Sequence, residues 1–333
     1  MLLCNIGTPK SPRSYDVYHY LKEFLNDSRV IDIPQPWRYI LVNGIIVPFR
    51  FRQSAKTYQK IWQEEGSPLL INTKNLSAAL QEALGVEYIV DYAMRYQQPS
   101  IERKLLEFQK KKLKKIIIFP LFPQYASATT GSTIEEVMRI CSKWQTIPEI
   151  SFINQFYDHP NFLEAVALQG EKYDHRHYDH ILFSFHGLPE RHLKKADLHG
   201  KCKKNECCHT VDAENQFCYK AQCYETAKKL SNRLSISPER YTVSFQSRLG
   251  KDLWTKPYTI DTIRTLAKNG VKKLLVFSPA FVADCLETIY EIKIEGAERF
   301  LHLGGDVLDL VESTNCHPEW VKACEKIIKQ QAL

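Results

Sequence analysis

Ile181-Leu182-Phe183-Ser184-Phe185 runs without a break into His186-Gly187-Leu188-Pro189. The first five residues lack the apolar–polar alternation of a half-exposed strand, so they predict a strand buried on both faces. Gly187 permits a tight turn, which makes His186 the last residue of that strand. A lone histidine in a core is usually a hydrogen-bonded structural group. At the carboxyl end of a parallel strand it stands instead on the edge where doubly wound folds build their sites.

Similar short runs recur on both sides of this stretch. Leu2–Ile6, Tyr88–Tyr92, Ile116–Phe122 and Ile150–Gln155 precede it, and Tyr241–Phe245, Leu274–Ser278 and Phe300–Leu303 follow it. Amphipathic stretches separate them: Ile101–Lys112, Thr133–Lys143, Asn161–Tyr173, Tyr224–Leu234 and Thr259–Lys268. Apolar strands alternating with helices imply parallel sheets covered on both faces. The pattern occurs twice, so the expected fold is α/β: two Rossmann-like lobes, each a parallel β-sheet flanked by helices, with the active-site cleft between them. The expected boundaries are 1–155 plus 304–333 for the amino-terminal lobe and 156–303 for the carboxyl-terminal lobe. Strand ends such as Phe119-Pro120-Leu121-Phe122-Pro123-Gln124-Tyr125 and Phe277-Ser278-Pro279-Ala280-Phe281 run into loops that should carry ligand contacts.

Composition narrows the function. The 333 residues have a net charge of +7 and an ordinary share of apolar and charged residues, which excludes large-scale disorder. That charge suits acidic small molecules or an anionic membrane surface, and without an RNA- or DNA-reading motif no nucleic-acid partner is expected. The opening Met1-Leu2-Leu3-Cys4-Asn5-Ile6-Gly7-Thr8-Pro9 reads as a buried strand and turn, not a signal peptide, so a cytoplasmic location is expected. Of ten cysteines, five lie between Cys202 and Cys223. Such clustering points to metal rather than to a disulfide framework, while Cys4, Cys141, Cys285, Cys316 and Cys324 read as small buried hydrophobes.

Three further segments matter. Lys110–Lys115, interrupted by Leu113, reads as a solvated helix end before a strand. Residues 36–52, Pro-Trp-Arg-Tyr-Ile-Leu-Val-Asn-Gly-Ile-Ile-Val-Pro-Phe-Arg-Phe-Arg, are too short and broken to span a bilayer. They form either a core helix with a turn or an apolar lip, with Trp37 and Phe49 at an interface and Arg50 and Arg52 near anionic headgroups. Glu287, Glu291 and Glu295 fall at i, i+4 and i+8, one acidic ridge on a helix. The alternatives are a solvated helix face and a conduit for cations or protons leading to a cleft.

Leu182-Phe183-Ser184-Phe185-His186-Gly187-Leu188-Pro189 resembles the signature of the ferrochelatases. So do Phe122-Pro123-Gln124-Tyr125-Ala126-Ser127-Ala128-Thr129-Thr130-Gly131-Ser132, Phe245-Gln246-Ser247-Arg248, Ala283-Asp284-Cys285-Leu286-Glu287-Thr288, Asn5-Ile6-Gly7-Thr8-Pro9 and Gly66-Ser67-Pro68-Leu69. Each is weak alone, but all occur in the family's order and together cover nearly the whole chain.

The resemblance implies a lyase that inserts Fe²⁺ into protoporphyrin IX to form protoheme, the terminal step of haem biosynthesis. Coproporphyrin ferrochelatase, another tetrapyrrole metal chelatase and a non-catalytic haem carrier are the alternatives. It implies His186 and Glu287 as the catalytic pair and the residues that meet the substrate iron, with Glu291 and Glu295 as an iron or proton path. It implies Ile6, Tyr96, Trp254 and Phe281 as porphyrin walls, with Arg50, Arg52, Ser67 and Ser247 as propionate partners. Arg95 and Tyr125 are implied as further porphyrin-binding residues. The aliphatic Ile6 is similar to the protoporphyrin-using group, since coproporphyrin-using relatives typically carry Tyr there. Residues 36–52 correspond to the family's lip over the porphyrin pocket, which favours exposure and peripheral contact with the inner face of the membrane.

The cysteine-rich insertion, 199–223, resembles an internal segment that holds a [2Fe–2S] cluster in certain bacterial ferrochelatases. On that resemblance the ligands are Cys202, Cys208, Cys218 and Cys223, with Cys207 as the alternate second ligand and His199 and His209 left open. A structural Zn²⁺ on the same thiolates, or no metal, are the other readings.

Overall fold

A computed structural model describes residues 1–203, 207–248, 250 and 252–332. The chain forms two compact units. The first comprises Met1–Phe122, Ala126–Asn154 and Cys324–Leu333; the second comprises Pro123–Tyr125 and Gln155–Ala323.

The sheet of the first unit contains β1 (Leu2–Gly7), β2 (Asp91–Tyr96), β3 (Lys115–Pro120) and β4 (Glu149–Phe152), all parallel, in the order β2-β1-β3-β4. The second sheet contains β5 (His180–His186), β6 (Tyr241–Gln246), β7 (Lys273–Phe277) and β8 (Val307–Leu310), again parallel, in the order β6-β5-β7-β8. The central strands β1 and β5 are covered on both faces, which is why their sequences do not alternate.

Amphipathic helices supply the cover. In the first unit Leu105 and Phe108 of the helix Ile101–Gln109, and Val137 and Ile140 of the helix Ser132–Cys141, close over Leu2, Cys4, Ile116 and Ile118. In the second, Ile263, Ile292 and Phe300 close over Leu182, Leu274, Val276 and Leu308. Each such burial stabilises the fold by about 1.5–3 kcal/mol. Ser100 caps its helix by accepting the Arg103 N–H at 3.2 Å. The lysine run at 110–115 is a turn of mainly exposed side chains between that helix and β3.

Two strand expectations are corrected. The second strand forms over Asp91–Tyr96, not Tyr88–Tyr92. The Gln81 side chain satisfies the backbone just before it, donating to the Tyr88 carbonyl at 3.0 Å and accepting the Val90 N–H at 2.9 Å. The amino terminus binds the Ile89 carbonyl. The apolar run Phe300–Leu303 lies mostly in the helix Ala297–His302, and the strand forms later, at Val307–Leu310. Phe300 points into the core, and the helix ends at Gly304 (φ +91°), with the Gly305 N–H on the Phe300 carbonyl. Because β8 pairs with β7, residues 304–323, expected with the first lobe, belong to the second unit; the first resumes at Cys324.

The lip is one helix with a widened middle: Trp37–Ile40, a π-helical run over Leu41–Ile46, then Val47–Ile61. Pro48 has no N–H to give Gly44 and its ring would crowd that turn; widening relieves both. Val42 and Val47 pack against Leu25 and Ile31, whereas Trp37 (67% exposed) and Phe49 (82%) face solvent. No helix among the described residues is long and apolar enough to cross a membrane.

Candidate active site

His186 is the last residue of β5 and lies opposite Gln246 of β6. The chain then turns at Gly187, whose N–H donates to the Gln246 carbonyl at 2.8 Å. A β-carbon at Gly187 would lie 2.8 Å from that same oxygen, so the close approach requires glycine. The His186 Nδ1 is 2.6 Å from the Gly187 carbonyl. A carbonyl only accepts, so Nδ1 carries the proton and Nε2 keeps its lone pair. Burial holds the imidazole below its ordinary pKa, against the opposing pull of the Glu287 carboxylate and of the Gly187 bond. The result is a neutral base. Trp254 and Phe281 flank it, with ring centroids at 6.4 and 6.3 Å.

The acidic residues lie on a helix of π geometry, Leu286–Gly296, in which the Ala297 N–H reaches back to the Ile292 carbonyl. Long π-helical runs are rare and frequent at functional sites. Its start is clamped. The Cys285 N–H donates to the Thr288 hydroxyl at 3.0 Å. Asp284 accepts from Asn315 Nδ2 at 2.7 Å, and its own N–H donates to Asn315 Oδ1 at 2.8 Å.

Glu291 accepts from Ser247 Oγ at 2.5 Å and from Gln246 Nε2 at 3.4 Å. Burial, reinforced by the charge of Glu287, pushes its carboxyl up to about 7. Glu295, farther along, is paired with Arg299 at 2.6 Å. The second unit therefore brings together His186, Ser247, Trp254, Phe281, Glu287 and Glu291. Ser247, expected as a propionate partner, spends its proton on Glu291.

The Tyr125 N–H donates to Gln222 Oε1 at 2.7 Å, and its ring lies against Phe217. In the first unit, Ile6 is partly exposed near the end of β1, and Arg50 and Arg52 are exposed on the lip. Ser67 is buried at the start of the helix Pro68–Leu84. Tyr96, expected as a wall, is 1% exposed, and its hydroxyl donates to Asp27 at 2.8 Å. Arg95 pairs with the same carboxylate at 2.8 Å, and Ser132 adds a third donor. Both side chains are thus committed to Asp27.

In the insertion, Asp197 accepts the Lys201 and Cys202 N–H groups, and Asn215 ties the Cys207 and Thr210 carbonyls together. Cys202, Cys207 and Cys218 line one pocket with Leu193 and Phe217, and the Cys207 and Cys208 sulfurs are 3.8 Å apart. Cys218 stands at the start of the helix Tyr219–Arg233, where a hydrogen bond from Cys208 and the helix N–H groups bring its thiol down to about 6.

Cys223 is buried inside that helix beside Tyr219, and burial pushes its thiol well up. The donor chemistry suits soft metal, but the arrangement does not: among the described residues no three His, Cys, Asp or Glu side chains are grouped to hold a metal ion. The expected set Cys202, Cys208, Cys218 and Cys223 is thus not assembled among the described residues. Cys4, Cys141, Cys285 and Cys324 are buried as expected, and Cys316 is partly so.

Sequence reasoning missed Asp27, Asn315 and Tyr219, whose hydroxyl donates to the His186 carbonyl at 2.7 Å, and gave Ser132 no role within its motif. Gln246 stood inside a quoted motif without a role. The available signal was a polar side chain ending a strand that is otherwise buried.

The ferrochelatase family model matches residues 1–332. A ferrochelatase of Legionella pneumophila is 45% identical over 99% of this chain and 98% of its own. A ferrochelatase of Coxiella burnetii is 42% identical over 99% of this chain and 93% of its own. Among solved structures, SirB from Bacillus subtilis with Fe³⁺ aligns with a TM-score of 0.53 at 15% identity, over 80% of this chain and 92% of that one. CbiX, the terminal enzyme of sirohaem biosynthesis in denitrifying bacteria, aligns with a TM-score of 0.50 at 12% identity, over 99% and 97%. These two likenesses bear on the fold alone.

Proposed function

The chain belongs to the ferrochelatase family, and from that premise we propose that His186 and Glu287 carry the metallation of the porphyrin. The reaction inserts Fe²⁺ into protoporphyrin IX and yields protoheme. Charge balances when two pyrrole N–H protons leave as the dication enters.

His186 accepts a proton at Nε2, and Glu287 stabilises the imidazolium that results. Glu291, already near its midpoint at neutral pH, takes protons onward, and Glu295 ends the path at Arg299. Trp254 and Phe281 bear on the apolar disc of the macrocycle. Ile6, Arg50, Arg52 and Ser67 remain proposed porphyrin contacts on family resemblance, and the aliphatic Ile6 supports protoporphyrin over coproporphyrin. The single observation that carries the reading is the tautomer of His186: Nδ1–H is spent on the Gly187 carbonyl, so a neutral Nε2 is available as base.

The test is loss of porphyrin fluorescence with anaerobic Fe²⁺, with protoporphyrin and coproporphyrin run in parallel. His186→Ala should lower the rate about 10²- to 10⁴-fold. A variant that keeps most of the wild-type rate overturns the assignment.

Two finer proposals accompany it. The lip, 36–52, touches an anionic membrane surface peripherally; its exposed aromatics and the adjacent Arg50 and Arg52 support this. The second concerns the insertion, whose thiols the family resemblance reads as ligands of a [2Fe–2S] cluster, an arrangement that the side chains do not make as they stand. Thiol chemistry supports the cluster, with Cys202, Cys207 and Cys218 around one pocket, and Cys207 and Cys208 competing for one ligand position. Cys223 would have to leave the helix core to serve. Iron and acid-labile sulfide in stoichiometric amounts, with visible absorbance that bleaches on reduction, are expected; a colourless anaerobic preparation with stoichiometric zinc overturns the cluster.

A further inference from the structure

We propose that Gln246 is a positioning residue for metallation, holding the His186 turn and the carboxylate-bearing helix in fixed relation. The inference rests on the reading of His186 and Glu287 as the metallating pair.

Gln246 is buried at the carboxyl end of β6, directly opposite His186. Its backbone carbonyl accepts the Gly187 N–H at 2.8 Å, which sets the turn that orients the imidazole. Its side chain faces the other partner. Nε2 donates to the Glu287 carbonyl at 2.9 Å and to Glu291 Oε2 at 3.4 Å.

The amide cannot flip. The Glu287 carbonyl accepts only, so a nitrogen must face it. Ser184 Oγ donates to Oε1 at 2.7 Å from the opposite side. The Ser184 hydroxyl in turn meets Thr259 Oγ1 at 2.9 Å, and Thr259 meets Ser244 Oγ at 2.9 Å, all three essentially without solvent contact. A buried polar chain of this kind is kept in one geometry because every alternative leaves a group unpaired.

One side chain thus aims a donor at the acidic helix, and its own backbone aims the base. No porphyrin contact is needed for this role. Displacing catalytic groups by about 1 Å can cost 10²-fold in rate. The expected effect of losing Gln246 is therefore on turnover rather than on substrate affinity.

Three variants test it in steady-state metallation of protoporphyrin. Gln246→Met keeps the length but removes donor and acceptor; kcat should fall about 10- to 100-fold, with the porphyrin KM within about twofold. Gln246→Glu is nearly isosteric but, assayed at alkaline pH where the new carboxyl is ionised, puts an acceptor where the donor was. It should lose at least as much kcat as Gln246→Met, a result that a purely space-filling role would not produce. Ser184→Ala removes the donor to Oε1 and loosens the amide, and should give an intermediate loss, also in kcat.

The proposal is overturned if folded Gln246→Met or Gln246→Glu retains kcat within about twofold of wild type, or if the loss lies in KM instead. If Gln246→Met does not fold, the other two variants decide. A wild-type protein that fails to metallate sinks the reading of the site itself. Metallation lost in His186→Ala but kept in Gln246→Met sinks only this inference.

Discussion

The two sheets share one topology and differ in what stands at the same corner. Each has its first strand second in order, with its second strand on one side and its third on the other. β1 ends in Ile6-Gly7-Thr8-Pro9 and β5 in His186-Gly187-Leu188-Pro189. In both, a β-carbon on the glycine would collide with a backbone carbonyl of the neighbouring strand, Tyr96 in one and Gln246 in the other. After the third strand each chain enters a π-helical run, Ser127–Gly131 in the first unit and Leu286–Gly296 in the second.

The carbonyl that meets the glycine belongs to Tyr96 in the first unit and to Gln246 in the second. In the first unit the corner is balanced: Asp27 receives Arg95, Tyr96 and Ser132, and the network is closed. In the second, two carboxylates meet a neutral histidine and neutral donors, with no arginine among those partners. The same scaffold yields a balanced ion pair where a cation is supplied, and a raised carboxyl beside a lowered imidazole where it is withheld.

The largest expected break of this contrast is Asp27→Ala. It leaves the partly buried Arg95 guanidinium without its carboxylate and should cost about 1–3 kcal/mol in denaturant unfolding. The kcat of the folded fraction should survive. A loss in kcat with unchanged stability would show that the first corner is chemical after all.

Next is Glu291→Gln, read as stability against pH. The folded pKa is raised from 4.5 to about 7, so the protonated form fits the fold best. That contribution is complete below the unfolded value and is lost as pH rises through about 7. The variant should match wild type near pH 4 and gain on it by pH 8, on the order of 2 kcal/mol once partial exposure is discounted. Parallel stability curves at all pH values would remove the strain assigned to this carboxyl.

The smallest effect on stability belongs to the lip. Trp37→Ser with Phe49→Ser should change unfolding by less than about 0.5 kcal/mol per site, since both side chains are exposed. Cosedimentation with vesicles containing anionic lipid should nevertheless fall sharply. Unchanged vesicle binding would remove the lip as the contact.

Much of this was legible in the residues. The apolar runs 2–6, 116–122, 150–155, 181–185, 241–245 and 274–278 each contain most of a strand, because strands buried on both faces must be continuously apolar. The helix Thr259–Lys268 was read to the residue. Tyr88–Tyr92 misled because a distant glutamine satisfies its backbone, and Phe300–Leu303 misled because a short apolar run fits a buried helix as well as a strand. For the site, His186 and the spacing of Glu287, Glu291 and Glu295 were readable. The partners that give them their properties were not.

Sequence alone therefore determined the family, the parallel α/β pairing of two sheets, and the histidine that ends β5. These follow from local pattern: periodicity, a glycine that permits the turn, and motifs in a fixed order. Only the tertiary structure decided that Nδ1 of His186 is spent on Gly187, that Ser247 and Gln246 serve Glu291, that Tyr96 is locked to Asp27, and that Cys223 is packed beside Tyr219. Each of these depends on hydrogen bonds or packing between side chains and backbone whose geometry is set by the fold. Charge state and donor direction come from those neighbours, and composition and spacing do not encode them.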